Sequence, residues 1–202
     1  MQLLLATLNV GKLREIEHEI YKAGLADIQV RTLAILPTPK NVVEDRPTFI
    51  GNAVKKARAY ASQSGMLTLA DDSGLCVDAL DGQPGVLSAR YAGEPSNDAA
   101  NNAKLLQALA GVSAPHRTAR FVCALALATP TTTLAVVQAW VDGLILTAPR
   151  GTNGFGYDPL FLLPALGQTT AELPLQHKSS WSHRGQAIRK MIALFRMGIF
   201  PG

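Results

Sequence analysis

Two acids stand side by side in "LADDSG" (69–74), between the apolar run "GMLTL" and a second apolar stretch that begins at Leu75. Adjacent carboxylates repel, and burying either one is costly. A polar turn at a strand end is one reading of the pair. A metal and water site is the other. Hard divalent cations such as magnesium take carboxylate oxygens and keep several waters. A metal-held water beside a carboxylate base can attack phosphorus. Glu44 offers a further carboxylate from a loop before a helix. Ser73 and Gly74 let the backbone come close to a phosphate.

Three other stretches carry complementary chemistry. In "ATLNVGK" (6–12) a strand gives way to a Gly-containing turn and a helix N-terminus, where backbone N–H groups collect phosphate. Lys12 adds charge, and Thr7 and Asn9 add hydrogen-bonding side chains. It is not a GxxxxGK[ST] loop, and an ordinary βα turn reads equally well. In "GTNGFGYDP" (151–159) Phe155 or Tyr157 offers a face for stacking on a base, and Asp158 an acceptor for ring N–H groups. The competing reading is a mobile hairpin whose aromatics tuck into the core. In "HKSSWSHRG" (177–185) Lys178, His183 and Arg184 gather before and at the start of the last helix. A helix N-terminus disfavours cations, so three there call for an anion or an electron-rich ring edge.

These groups need elements to hold them. The pattern predicts a strand at 3–6 and a helix with Leu13, Ile16 and Ile20 on one face, stopping near Gly24. A second helix starts at an N-cap, Thr48, with Ala53, Val54, Ala57 and Ala61 inward. A strand ends at the two acids. A third helix covers about 98–109, strands follow at 120–128 and 134–143, and Asp142-Gly143 is a candidate hairpin turn. The last helix runs from about Ser182 to Phe195. The expected fold class is α/β, with a mixed β-sheet and flanking helices.

Composition bounds the rest. A 202-residue chain, 48% hydrophobic and 17% charged, suits a single domain, 1–202, with a sizeable core. The net charge of +4 suits a small anionic ligand, and no basic run marks a nucleic-acid tail. Cys76 and Cys123 lie in apolar stretches and read as buried free thiols of a reducing compartment. The longest apolar segment, "FVCALALA", is too short to span a bilayer. The N-terminus has no basic region of the kind a signal peptide carries. The expectation is a cytoplasmic protein with neither nucleic acid nor membrane as partner.

Taken together, "ATLNVGK", "TFIGNAVKKARAYA", "ADDSGLCVDALDGQPGVLSARYAGE", "GTNGFGYDPLF" and "KSSWSHRGQA", in that order, resemble the non-canonical purine NTP pyrophosphatases, the Ham1-like family, and most of all its bacterial branch. The resemblance runs from Leu4 to about Ile192. It implies hydrolysis of ITP, dITP and XTP to the monophosphate and pyrophosphate, magnesium as cofactor, a homodimer, and an elongated, two-lobed α/β domain with a cleft between the lobes. By motif it makes Asp72 the general base and a metal ligand, and Glu44 its metal partner. Thr7, Leu8, Asn9, Val10, Gly11 and Lys12, with Lys56 and Ser73, would hold the triphosphate. Phe155, Gly156, Tyr157 and Asp158, with Lys178, His183 and Arg184, would hold the base. Strand alternation would then turn Asp72 to the metal and leave Asp71 to structural hydrogen bonds.

The chain departs from the family pattern at three places. Leu8 stands where Gly or Ser is usual, and His177 where an acid is common. "TFIGNA" replaces T-F-x-E-N-A, so Gly51 removes a capping-box glutamate. Two rival readings have discriminating features. Maf-like pyrophosphatases open with a Ser-Pro-Arg-Arg-type loop, absent here. A binding protein with decayed catalysis would have no need of Asp72, Glu44, Lys12 and Lys178 together.

Overall fold

Alternation along the central strands decides which helix covers which face. The computed structural model describes residues 1–25 and 27–198. Its strands are β1 (Gln2–Leu5), β2 (Gln29–Thr32), β3 (Thr68–Val77), β4 (Thr118–Ala128), β5 (Thr133–Ile145), β6 (Phe161–Leu163) and β7 (Gln168–Thr169). The helices are α1 (Val10–Lys22), α2 (Phe49–Ser64), α3 (Asp98–Ala108), α4 (Leu175–Trp181) and α5 (His183–Arg196). The strands form one sheet in the order β2-β1-β3-β4-β5-β6-β7. β1 runs parallel to β2 and β3, while β6 is antiparallel to β5 and β7. The sheet is mixed and flanked by helices, as expected.

The chain divides into two compact units. The first holds residues 1–72, 123–139 and the chain from Arg184 onward. There Leu3, Leu5, Leu69, Cys123, Leu125 and Leu127 pack with Ile16 and Ile20 of α1 and with Ala187, Ile188, Met191 and Ile192 of α5. Their sequence neighbours Leu4, Ala6, Ala70, Ala124, Ala126 and Ala128 pack with Ala53, Ala57, Tyr60 and Ala61 of α2. Successive strand residues point to opposite faces, so α1 and α5 cover one face and α2 the other. Alanine meets alanine beneath α2, which lets helix and strands come close.

The second unit holds 73–122 and 140–183. Leu75, Val77, Phe121, Ile145 and Phe161 pack there with Leu105 and Leu109 of α3 and with Tyr157 and Leu160.

Several sequence expectations need correction. β3 does not stop at the acids but continues to Val77; the acids find cationic partners, so the strand has no need to end in water. Asp142 and Gly143 lie inside β5. A Cβ at Gly143 would sit 2.5 Å from the Leu162 carbonyl oxygen, so this glycine admits β6 rather than turning a hairpin. The tight turn lies earlier, where the Thr129 N–H donates to the Thr132 carbonyl (2.9 Å). The last helix, α5, starts and ends where expected; the short helix α4 before it was not foreseen, and the extended Ser182 (ψ 152°) separates the two. Cys123 is buried, whereas Cys76 is half-buried. Val54 is only half-buried, and Asn52, Lys56 and Tyr60 join the inward face of α2.

Candidate active site

Three N-caps fix the starts of the helices that carry the site. Asn9 accepts from the Lys12 N–H (3.0 Å), Thr48 from the Gly51 N–H (3.0 Å) and Asn97 from the Ala100 N–H (3.0 Å). The first loop is tightened further, since Thr7 Oγ1 accepts from the Asn9 N–H (3.1 Å). Leu8 and Val10 point outward, Leu8 being 78% exposed, so the Leu8 side chain is not packed into the turn. Gly11 and Lys12 lie in the first turn of α1.

The two acids separate by strand parity. Asp71 lies on the α1/α5 face with Leu69, and Asp72 on the α2 face with Ala70. On its side Asp71 is ion-paired with Lys12. It also accepts from Arg184 Nε (2.9 Å) and from the Cys123 thiol (3.2 Å). Arg184, itself buried, pairs through Nη1 with the buried Glu15. Burial pushes the Asp71 carboxyl up, but Arg184 and Lys12 outweigh it and hold it well below the usual carboxylate range. Burial and the adjacent Asp71 carboxylate push the Cys123 thiol well up, so it stays protonated.

Across the pleat, Lys56 joins the acidic groups. Its ammonium donates to Glu44 Oε1 (2.6 Å) and to the Asp71 carbonyl (2.7 Å), and it lies 3.5 Å from Asp72 Oδ1. Burial opposes its charge, yet Asp72 and Glu44 raise its pKa. Asp72 is buried, and its Oδ2 has no hydrogen-bond partner among the described residues. Burial, against the pull of Lys56 and with the push of Glu44, raises Asp72 to about 6. A buried carboxylate oxygen left open, beside a second carboxylate on the same lysine, fits a hard divalent cation. Among the described residues no three His, Cys, Asp or Glu side chains gather as a metal cluster. Two carboxylates are what magnesium typically takes from protein when phosphate and water complete its shell.

The second unit assembles the other group. Asp158 is buried. Its Oδ2 accepts from the Phe155 N–H (2.8 Å) and from Lys178 Nζ (2.5 Å), and its Oδ1 accepts from Thr170 Oγ1 (2.8 Å). The Lys178 ammonium lies 5.1 Å from the Phe155 ring centroid. Gly156 adopts φ +62°. Tyr157 goes into the core, where its hydroxyl donates to the Ser88 carbonyl (2.8 Å). Phe155 remains half-buried, so of the two aromatics it is the more exposed. His183 is buried and stacks on Phe121, centroids 4.8 Å apart and planes 17° apart. Ser73 is half-buried in β3.

The structure thus brings Lys12, Lys56, Glu44, Asp71, Asp72 and Arg184 together in one unit, and Phe155, Asp158 and Lys178 in the other. Sequence reasoning missed Glu15. The signal was present: Glu15 and Glu19 sit among Ile16 and Ile20 on the buried stripe of α1, and acids there need cations.

Fold and site together define a mixed-sheet α/β protein with a carboxylate–lysine cluster on its central strands. The Ham1 family model matches residues 3–194, and the chain belongs to that family. It is 50% identical over 194 residues to a dITP/XTP pyrophosphatase of Desulforamulus reducens, covering 96% of this chain and 95% of that one. It is likewise 50% identical over 190 residues to a dITP/XTP pyrophosphatase of Geobacillus kaustophilus, covering 94% and 92%. A solved HAM1 protein from Coxiella burnetii superposes with a TM-score of 0.87 at 37% identity, covering 98% of this chain and 99% of that chain.

Proposed function

We propose that this protein hydrolyses non-canonical purine nucleoside triphosphates, dITP, XTP and ITP, to the monophosphate and pyrophosphate. The observation that carries the reading is the buried Asp72 carboxylate, whose Oδ2 is open and whose pKa is raised to about 6. Such a group is a competent general base near neutral pH. Asp72 takes the proton of the attacking water. Lys12 and the 7–12 loop hold the triphosphate, with Ser73, and Lys56 keeps Glu44 and Asp72 at one place. Glu44 and Asp72 would hold magnesium, which neutralises phosphate charge when bound.

Phe155 stacks on the base, and Asp158 holds Lys178 beside that ring. Lys178 and His183 supply cationic or N–H donors; Arg184, expected to join them, is instead buried between Asp71 and Glu15. A 6-oxo purine offers them an acceptor where adenine offers a donor, and an unpaired buried donor costs about 1–3 kcal/mol. The family resemblance further supports a cytoplasmic homodimer, which light scattering on a sizing column tests. Among the described residues no helix is long and apolar enough to cross a membrane.

The testing experiment measures pyrophosphate release with magnesium at alkaline pH, comparing dITP, XTP, dGTP and dATP. Fast release from dITP and XTP is the expected result. Equal release from all four, or none from dITP, overturns the reading.

A further inference from the structure

The loop that carries Phe155 is gripped from two sides. From within, Asp158 accepts the Phe155 N–H, and Gly154 must lack a side chain, because a Cβ there would fall 2.0 Å from Asp158 Oδ2. From without, the first turns of α3 hold the next residue along. Asp98 Oδ2 accepts the Gly156 N–H (2.6 Å), and Asn102 Nδ2 donates to the Gly156 carbonyl (2.9 Å). Asp98 and Asn102 are four residues apart, hence on one face of the helix. That face meets both polar groups of a single residue. Gly156 is left-handed (φ +62°) with open space where a Cβ would be, so packing does not fix it and the two hydrogen bonds do.

We infer that Asp98 and Asn102 are positioning residues for base recognition: by clamping Gly156 they hold the Phe155 ring in the orientation that stacks on a purine. The inference rests on the reading of Phe155 as the base platform. Neither side chain touches the reacting atoms. Their removal therefore weakens binding of the base and leaves the chemical step alone.

The test is steady-state pyrophosphate release from dITP by the full chain with magnesium, for the parent and for Asp98→Ala, Asn102→Ala, the double variant and Asp98→Asn. Asp98→Ala and Asn102→Ala are each expected to raise KM about tenfold, the scale of one lost hydrogen bond, with kcat within about twofold. The double variant should lose less than the product of the two, because both bonds hold one residue. Asp98→Asn keeps an acceptor oxygen and should return KM to within about threefold of the parent. Asp98 is exposed, and thermal melts check that each variant is folded. Parent-like KM in both alanine variants, or a fall in kcat at unchanged KM, overturns the clamp. A parent that releases no pyrophosphate from dITP overturns instead the functional reading beneath it.

Discussion

The Cβ that Gly51 lacks would lie 2.9 Å from Cβ of Arg46 and 3.1 Å from Thr48 Oγ1. Gly51 is thus more than a lost capping-box glutamate. It is the space into which the root of Arg46 fits, and the near end of a side chain cannot swing away as its tip can. Gly51→Glu in this chain is expected to cost about 1–3 kcal/mol of stability, as overpacking does, despite the better helix propensity of Glu. Adding Arg46→Gly should remove most of that loss. Urea unfolding midpoints of the parent, both single variants and the double variant measure the coupling; an additive cycle contradicts the steric account.

Asp72→Asn should lower pyrophosphate release by at least about a hundredfold, the scale of a catalytic acid–base group. The same change should stabilise the metal-free protein. The folded pKa of about 6 lies above the unfolded 3.8, so the folded state binds the extra proton between these values. The ionised carboxylate then costs stability that is absent below about pH 4 and fully expressed above about pH 6. With a chelator present, Asp72→Asn is expected to gain up to about 3 kcal/mol over the parent at pH 8. The gain should vanish towards pH 4. Thermal melts across that range check the sign.

Arg184→Leu should be severely destabilising, by about 3–5 kcal/mol at pH 7, because it strands the Asp71 and Glu15 carboxylates in the interior. The pH dependence has a definite sign. Asp71 has a depressed folded pKa, so its contribution is present above about pH 4 and lost as pH falls through the folded value. Without Arg184, Lys12 is left to oppose burial with less help, and the carboxylate protonates more readily. The deficit of the variant should therefore shrink on acidification. Denaturant titrations at pH 7 and pH 4 test this.

Gly154→Ala should damage base recognition without unfolding the protein. Its Cβ would strike Asp158 Oδ2, and φ +76° disfavours any side chain there. Loss of the Asp158 geometry frees Lys178 and the Phe155 N–H together. Calorimetric titration with dIMP should show binding weakened at least about tenfold, with a melting temperature within a few degrees of the parent.

Much of this was legible in the sequence, and the reasons differ by element. α1 and α2 announced themselves by period and cap, and Thr48 caps α2 as its type requires. β4 was a continuous apolar run because its residues in the first unit are covered on both faces. α4 was hidden because its seven residues give helical periodicity too few turns to register. The end of β3 was misplaced because two acids look like a strand terminus when their partners are invisible. Lys12, Lys56 and Arg184 come from residues up to 113 positions away, and no local rule brings them to the acids. The clamp on Gly156 was equally unreadable, since Asp98 at a helix start is explained well enough by the helix dipole.

β3 has, in effect, a reading frame. Asp71 and Asp72 are chemically the same residue, told apart only by the parity of their positions. One faces a buried guanidinium that fixes its charge, and the other faces a lysine and an open oxygen. Inserting or deleting a single residue between Leu69 and Asp71 would keep both acids adjacent and exchange their surroundings. The segment is thus sensitive to length as well as to substitution, and a one-residue insertion before Asp71 should abolish activity although both acids are kept.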